Sequence, residues 1–180
     1  EITACAEVMR EKGAHIEPKG AVMDIVGTGG DEVGSFNIST TAAFVAAAGG
    51  VPVAKHGNRS VSSKSGAADV LEELGVVLSL TPEQNEKVLA DTGICFLFAQ
   101  GYHKSMKNVA PVRKGMGERT IFNVLDPLSN PARATMQLLG VYDENLVMPM
   151  AQVLSNLSVT RGMVVCGGGM DEASLIGENK

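Results

Sequence analysis

Five short apolar runs, Ala21–Val26, Val51–Ala54, Ile94–Phe98, Met136–Gly140 and Met163–Cys166, alternate with helical stretches along this chain. Strands of about five residues separated by helices need crossover connections, and these make neighbouring strands parallel. The sequence therefore predicts an α/β fold with a mainly parallel central sheet and flanking helices. Ligands on such sheets sit at the carboxyl ends of the strands. The helical stretches are the opening Glu1–Arg10, Ser39–Ala48 closed by Gly49-Gly50, Ser65–Leu74, and a segment from Thr81-Pro82-Glu83 to Asp91. Further on come Met106–Leu125, broken around Gly115-Met116-Gly117, and Glu144–Val159, with Asp126–Pro131 as a rigid loop.

What fills the strand ends is the second constraint. Gly27-Thr28-Gly29-Gly30-Asp31, Asn37-Ile38-Ser39-Thr40, Lys55-His56-Gly57-Asn58-Arg59, Ser62-Ser63 and Ser65-Gly66 follow one another in order. Glycines let backbone approach a ligand, hydroxyls and amides donate hydrogen bonds, and Lys supplies positive charge, which together suit an anionic, oxygen-rich ligand. The 21 glycines in 180 residues are about 12%, against a usual ~7%, and they punctuate strand ends rather than a repeat.

Composition narrows the classes further. A net charge of −5 argues against wrapping nucleic acid. Cys5, Cys95 and Cys166 have neither zinc nor disulfide spacing and read as reduced thiols of a cytoplasmic protein. No apolar run reaches the ~20 residues of a membrane span, and no signal peptide is visible. At 180 residues the chain suits one domain with a real core. The ends read as cut: the opening helix lacks its cap, and the chain stops just after a glycine loop. Its apolar residues Ile2, Ala6, Val8 and Met9 are expected to want partners from outside the chain, and Met163–Cys166 to be an exposed edge.

Each polar segment has a plainer reading beside the chemical one. Gly27–Asp31 follows a strand and matches neither the Walker nor the dinucleotide glycine pattern, so it is either a tight turn or a phosphate cradle. Asn37–Thr40 opens a helix, where free amides and the dipole favour an anion; capping by Ser39 or Thr40 is the alternative and leaves Asn37 unexplained. Lys55 is a solvated strand end or an aimed cation. Lys104–Arg119 holds five bases against Glu118, either a solvated face or, through Arg113 after Pro111, a carboxylate clamp. Asp171-Glu172 on Gly167-Gly168-Gly169 suits Mg²⁺ shared with substrate phosphates, or simply starts a helix.

The chain resembles the anthranilate phosphoribosyltransferases, of the nucleoside phosphorylase and class III phosphoribosyltransferase family, over nearly all its length. The resemblance rests on the segments above together with Ala67–Glu72, Pro111-Val112-Arg113, Arg119–Asn123, Asn130-Pro131 and Asp171-Glu172. It implies transfer of a phosphoribosyl group from phosphoribosyl pyrophosphate to anthranilate, with Mg²⁺, in tryptophan biosynthesis. It also implies a homodimer in which residues 21–180 form an incomplete α/β domain. Residues 1–20 are then a remnant of a small helical domain, to which 104–128 contribute helices.

By position, the resemblance carries the phosphoribosyl pyrophosphate site onto Gly27, Thr28, Gly29, Gly30, Asp31, Ser35, Asn37, Ile38, Ser39 and Thr40. It continues through Lys55, His56, Gly57, Asn58, Arg59, Ser60, Val61, Ser62 and Ser63. Gly27, Asn58 and Arg113 are the implied anthranilate contacts; Ser39 is a ligand of one Mg²⁺, and Asp171 with Glu172 of another. Ala67 stands where Ser is frequent, leaving a backbone phosphate contact only, and Asp126 and Cys166 replace a frequent Gly and His. The rivals are a pyrimidine nucleoside phosphorylase, a nucleic-acid-binding relative and an inert fragment. His56-Gly57-Asn58 speaks against the first; the negative charge and the retained Asn58 and Arg113 speak against the second.

Overall fold

The computed structural model describes residues 1–31, 33–60, 66–116 and 120–180, without the side chains of Ala110, Arg113 and Lys114. After helix α1 (Ile2–Lys12) come β1 (Met23–Gly27), α2 (Ile38–Ala48), β2 (Val53–Gly57), α3 (Ala67–Glu73), α4 (Pro82–Thr92) and β3 (Ile94–Phe98). Short helices α5 (Ala99–Tyr102), α6 (Ala110–Met116) and α7 (Ile121–Leu125) lead to β4 (Met136–Gly140), α8 (Val147–Asn156) and β5 (Arg161–Val165). The strands form one sheet in the order β3-β2-β1-β4-β5. Every pairing is parallel, as the alternation predicts. The chain builds outward from β1 to β3, then returns to the other side of β1 for β4 and β5. That reversal leaves a crevice between the carboxyl ends of β1 and β4.

Strand boundaries move in an informative way. β3 and β4 fall where the apolar runs place them, but β2 starts two residues later than Val51 and continues through Lys55 and His56 to Gly57. Lys55 and His56 align with Phe96 and Leu97 of β3, so both are interior strand residues rather than loop residues. Pro52, which has no amide hydrogen to give a ladder, sits just outside. The Asp126–Leu128 stretch is a 3₁₀ turn, and another, Glu144–Leu146, precedes α8 with Asp143 capping it through Asn145 N.

Alternation along the strands gives the sheet two different faces. One carries Asp24, Ala54, His56, Leu97, Gln137 and Leu139, beneath α1, α4, α7, α8 and the 126–131 segment. The other carries Ile25, Val53 and Lys55 beneath α2, whose Ala42, Ala43, Ala46 and Ala47 let it lie close to the strands. Leu97, Leu128, Leu139 and Met150 are fully enclosed, each burial contributing about 1.5–3 kcal/mol. Contrary to expectation, the opening helix has partners within the chain. Ala6 is fully buried, and Ile2 and Met9 pack on the cluster of Val124, Leu125, Met150 and Val153; of its apolar face Val8 stays exposed. β5 is a sheet edge with Met163 exposed, but the rest of the expected Met163–Cys166 edge is not: Val165 and Cys166 are buried.

Candidate functional site

Gly27 ends β1, Gly140 ends β4, and the two are register neighbours at the crevice. A Cβ on Gly27 would run into the Asp171 carboxylate, and one on Gly140 into the Asp171 backbone carbonyl. The absent side chains are therefore the seat of the Asp171 turn. Asp171 Oδ2 accepts a hydrogen bond from Gly29 N at 2.6 Å. Gly29 and Gly30 have φ of +68° and +78°, a region residues with side chains rarely adopt, so the loop's shape depends on them. Thr28 ties this loop to the β4 exit: its amide donates to Gly140 O at 3.0 Å and its hydroxyl accepts from Tyr142 N at 3.2 Å.

At the mouth of α2 the cap is Asn37, not Ser39 or Thr40. Asn37 Oδ1 accepts from Thr40 N at 3.1 Å, which accounts for the residue capping by Ser39 or Thr40 left unexplained. Ser39 Oγ lies 3.4 Å from Lys55 Nζ. Lys55 is buried and also donates to Ile25 O at 2.5 Å. Burial pulls its pKa down, opposed by Asp24 across the sheet and by Glu172. Glu172 is pushed up to about 7 by burial and by Asp171, against the pull of Lys55 and of the Ser39 amide. Burial raises Asp171 as well, opposed by the Gly29 amide and reinforced by Asp31. Three carboxylates, one ammonium and a helix start thus meet at the carboxyl edge of β1, β2 and β4.

The other expected residues divide. Ile38 is the first residue of α2, Ser35 is exposed on the approach to it, and Asp31 Oδ1 accepts from Val33 N at 3.4 Å. Gly57 closes β2 against Ala67, whose Cβ would lie 3.2 Å from a Cβ placed there. Asn58 Oδ1 folds back on Arg59 N at 2.9 Å. Ser60 N donates to Asp69 Oδ2 at 3.0 Å. Arg59 points to α3, pairing with Glu72 and Asp69 at 2.8 and 3.1 Å. His56 is on the sheet face away from Lys55, its ring 5.3 Å from that of His103. Burial and the neighbouring His103 drive its pKa down to about 3. Val61, Ser62 and Ser63 lie outside the described residues; Arg113 is in α6, its side chain outside them.

Two residues with no assigned role brace the site from behind. Asp24 is the lone acid of the β1 run and is fully buried; its Oδ1 accepts from His56 N at 3.2 Å and its Oδ2 from Asn130 Nδ2 at 2.7 Å. Asn130 Nδ2 donates to Ala54 O as well, at 2.8 Å. An acid inside an apolar run was the available signal, since a buried carboxylate requires donors.

Asp171 and Glu172 are adjacent, partly desolvated acids that offer hard oxygens, a donor set that fits Mg²⁺. Among the described residues no group of three or more His, Cys, Asp or Glu closes a metal cage. An ion there would share its remaining positions with ligand oxygens, as Mg²⁺ usually does. An all-parallel sheet with a glycine loop, a buried lysine and two adjacent acids at its switch point is an α/β arrangement whose chemistry suits a phosphorylated ligand.

Residues 19–180 match the glycosyl transferase family, a/b domain, and the chain belongs to that family. It is 63% identical over 176 residues to the anthranilate phosphoribosyltransferase of Ruminiclostridium cellulolyticum, covering 97% of this chain and 52% of that protein. It is 64% identical over 176 residues to that of Endomicrobium trichonymphae, with the same coverage. The chain thus spans about half the length of the curated relatives it matches. Among solved structures, anthranilate phosphoribosyltransferase from Thermus thermophilus superposes with a TM-score of 0.94 at 50% identity, over 99% of this chain and 54% of that one. The enzyme from Saccharomyces cerevisiae in complex with phosphoribosyl pyrophosphate and Mg superposes with a TM-score of 0.90 at 34% identity, over 99% and 51%. No helix among the described residues is long and apolar enough to cross a membrane.

Proposed function

We propose that this chain carries the phosphoribosyl pyrophosphate site of a Mg²⁺-dependent anthranilate phosphoribosyltransferase, which makes N-(5-phosphoribosyl)anthranilate and pyrophosphate. The observation that supports it most is the meeting of the Gly27–Asp31 loop, the α2 start, Lys55 and Asp171-Glu172 at one strand edge. In this reading Gly27–Asp31, Ser35, Asn37–Thr40 and, from the Lys55–Ser63 segment, Lys55, Gly57, Asn58 and Ser60–Ser63 hold the phosphates and ribose, while His56 faces the opposite side of the sheet and Arg59 is turned to α3. Ser39, Asp171 and Glu172 are the Mg²⁺ ligands. When bound, Mg²⁺ neutralises the charge that gathers on departing pyrophosphate.

The chain's own groups do the rest. Lys55 and the α2 amides hold phosphate oxygens in a partly dry crevice, where such contacts gain strength as negative charge accumulates. The anomeric carbon becomes oxocarbenium-like as its bond to pyrophosphate lengthens. The anthranilate amine, a weak base already carrying its lone pair, needs orientation more than deprotonation. Asn58, Gly27 and Arg113 are proposed to provide it, Arg113 through the carboxylate. A small helical domain involving residues 1–20 and 104–128, and pairing into a homodimer, belong to the same proposal.

Calorimetry of phosphoribosyl pyrophosphate with and without Mg²⁺ tests the site in this chain. Binding that requires Mg²⁺ is expected; Mg²⁺-independent binding or none overturns the assignment. Loss of anthranilate fluorescence on mixing both substrates, with the protein at the length of its relatives, tests the transfer.

A further inference from the structure

Arg59 directly follows Gly57-Asn58 at the carboxyl end of β2, on the edge where the other polar groups converge, yet its charge is committed elsewhere. Nη1 and Nη2 grip the Glu72 carboxylate at 2.8 and 2.9 Å, and Nη1 also reaches Asp69 Oδ1 at 3.1 Å. The guanidinium lies 5.7 Å from the centre of the Phe98 ring. Asp69, with its other oxygen, accepts from both Ser60 N at 3.0 Å and Gly66 N at 2.9 Å. Asn58 O accepts from Ala68 N at 3.3 Å. The backbone of 58–60 crosses Gly66 so closely that a Cβ there would meet Ser60 N, the Arg59 carbonyl carbon and Asn58 O.

We propose that Arg59 is a positioning residue rather than a phosphate ligand: with Asp69 and Glu72 it clasps the Asn58–Ser60 backbone onto α3 and so sets Asn58 at the ligand edge. Exposed ion pairs are worth little as stability. A bidentate fork shared by two carboxylates, one of them also holding two backbone amides, fixes direction instead. Five hydrogen bonds and a close glycine approach tie the same three residues to one helix, and each depends on that helix staying in place. The proposal rests on the reading of this edge as the phosphoribosyl pyrophosphate site.

The test is a double-mutant cycle of Arg59→Gln and Glu72→Gln with the swap Arg59→Glu/Glu72→Arg. It reads Mg²⁺-dependent phosphoribosyl pyrophosphate affinity together with amide exchange at Ser60 and Gly66. Each single change is expected to weaken binding by roughly 3- to 10-fold, the double change no further, and the swap to recover part of the loss. Exchange at Ser60 and Gly66 should speed up in both single variants. If Arg59 is itself a phosphate ligand, Glu72→Gln releases it and leaves affinity unchanged or improved while Arg59→Gln weakens it; that result overturns the proposal. Unchanged exchange in Arg59→Gln overturns the clasp whatever the ligand. A wild-type chain that binds no phosphoribosyl pyrophosphate overturns the functional reading instead, and the exchange arm still decides whether the clasp exists.

Discussion

Asn130 donates from Nδ2 to the Asp24 carboxylate at 2.7 Å, joining residues 106 apart in the chain. The same amide holds Ala54 O, and Asn130 Oδ1 accepts from Ala132 N at 2.7 Å. One side chain thus pins β1, β2 and the 126–131 segment together directly beneath Lys55. Removing it takes the donor from Asp24 Oδ2 and leaves the carboxylate to the His56 amide, so Asn130→Ala is expected to lower stability by about 1–3 kcal/mol in urea unfolding. A loss below about half a kcal/mol would mean that the carboxylate is satisfied without it.

Asp24 and His56 share a sheet face and should titrate in opposing senses. Burial raises the Asp24 carboxyl from 3.8 to about 6, so the folded chain keeps a proton that the unfolded chain releases. Its contribution to stability is present below about pH 4 and lost as pH rises to 6. His56, lowered from 6.5 to about 3, contributes fully above pH 6.5 and less as pH falls toward 3. Melting temperatures between about pH 4 and 6 should therefore rise more steeply with pH in Asp24→Asn than in wild type, and fall relative to wild type in His56→Gln. Parallel curves for all three chains would count against both shifts.

Gly140→Ala places a methyl group against the Asp171 carbonyl. The Asp171 turn has to move, at a cost of about 1–3 kcal/mol. Mg²⁺-dependent phosphoribosyl pyrophosphate affinity should fall with it. A variant that melts like wild type and binds like wild type would show that the turn is not seated on the glycine.

Lys55→Met keeps length and removes the buried charge. Removing the ammonium leaves Ile25 O without its donor and Asp24 and Glu172 without the opposing charge, so stability should fall by about 2–4 kcal/mol while the chain still melts cooperatively. Phosphoribosyl pyrophosphate affinity should drop by roughly 10- to 100-fold, the value of a charge-assisted contact. Affinity retained alongside a collapsed melt would make Lys55 a structural residue only.

Asp171→Asn with Glu172→Gln preserves shape while removing the anionic oxygens that Mg²⁺ prefers. The dependence of phosphoribosyl pyrophosphate binding on Mg²⁺ should disappear while the fold melts cooperatively. A Mg²⁺ titration superimposable on wild type would leave the pair without a metal role.

Local pattern determined much of this protein. Apolar runs bounded by glycine mark β3 and β4 to the residue, because burial period and turn chemistry are both written in neighbouring positions. The polar segments of the site are legible for the same reason, since each is contiguous. Tertiary structure decided what each of those residues faces. Lys55 and His56 are adjacent, yet the pleat turns one toward Ser39 and the other toward His103, and which face carries the ligand edge depends on where α2 packs. Arg59 has the charge of a phosphate ligand, and only the placement of α3 beside it turns that charge to Asp69 and Glu72. The Asp24–Asn130 contact has no sequence signature, because nothing local records which of many distant amides will reach a buried acid once the sheet reverses direction at β4.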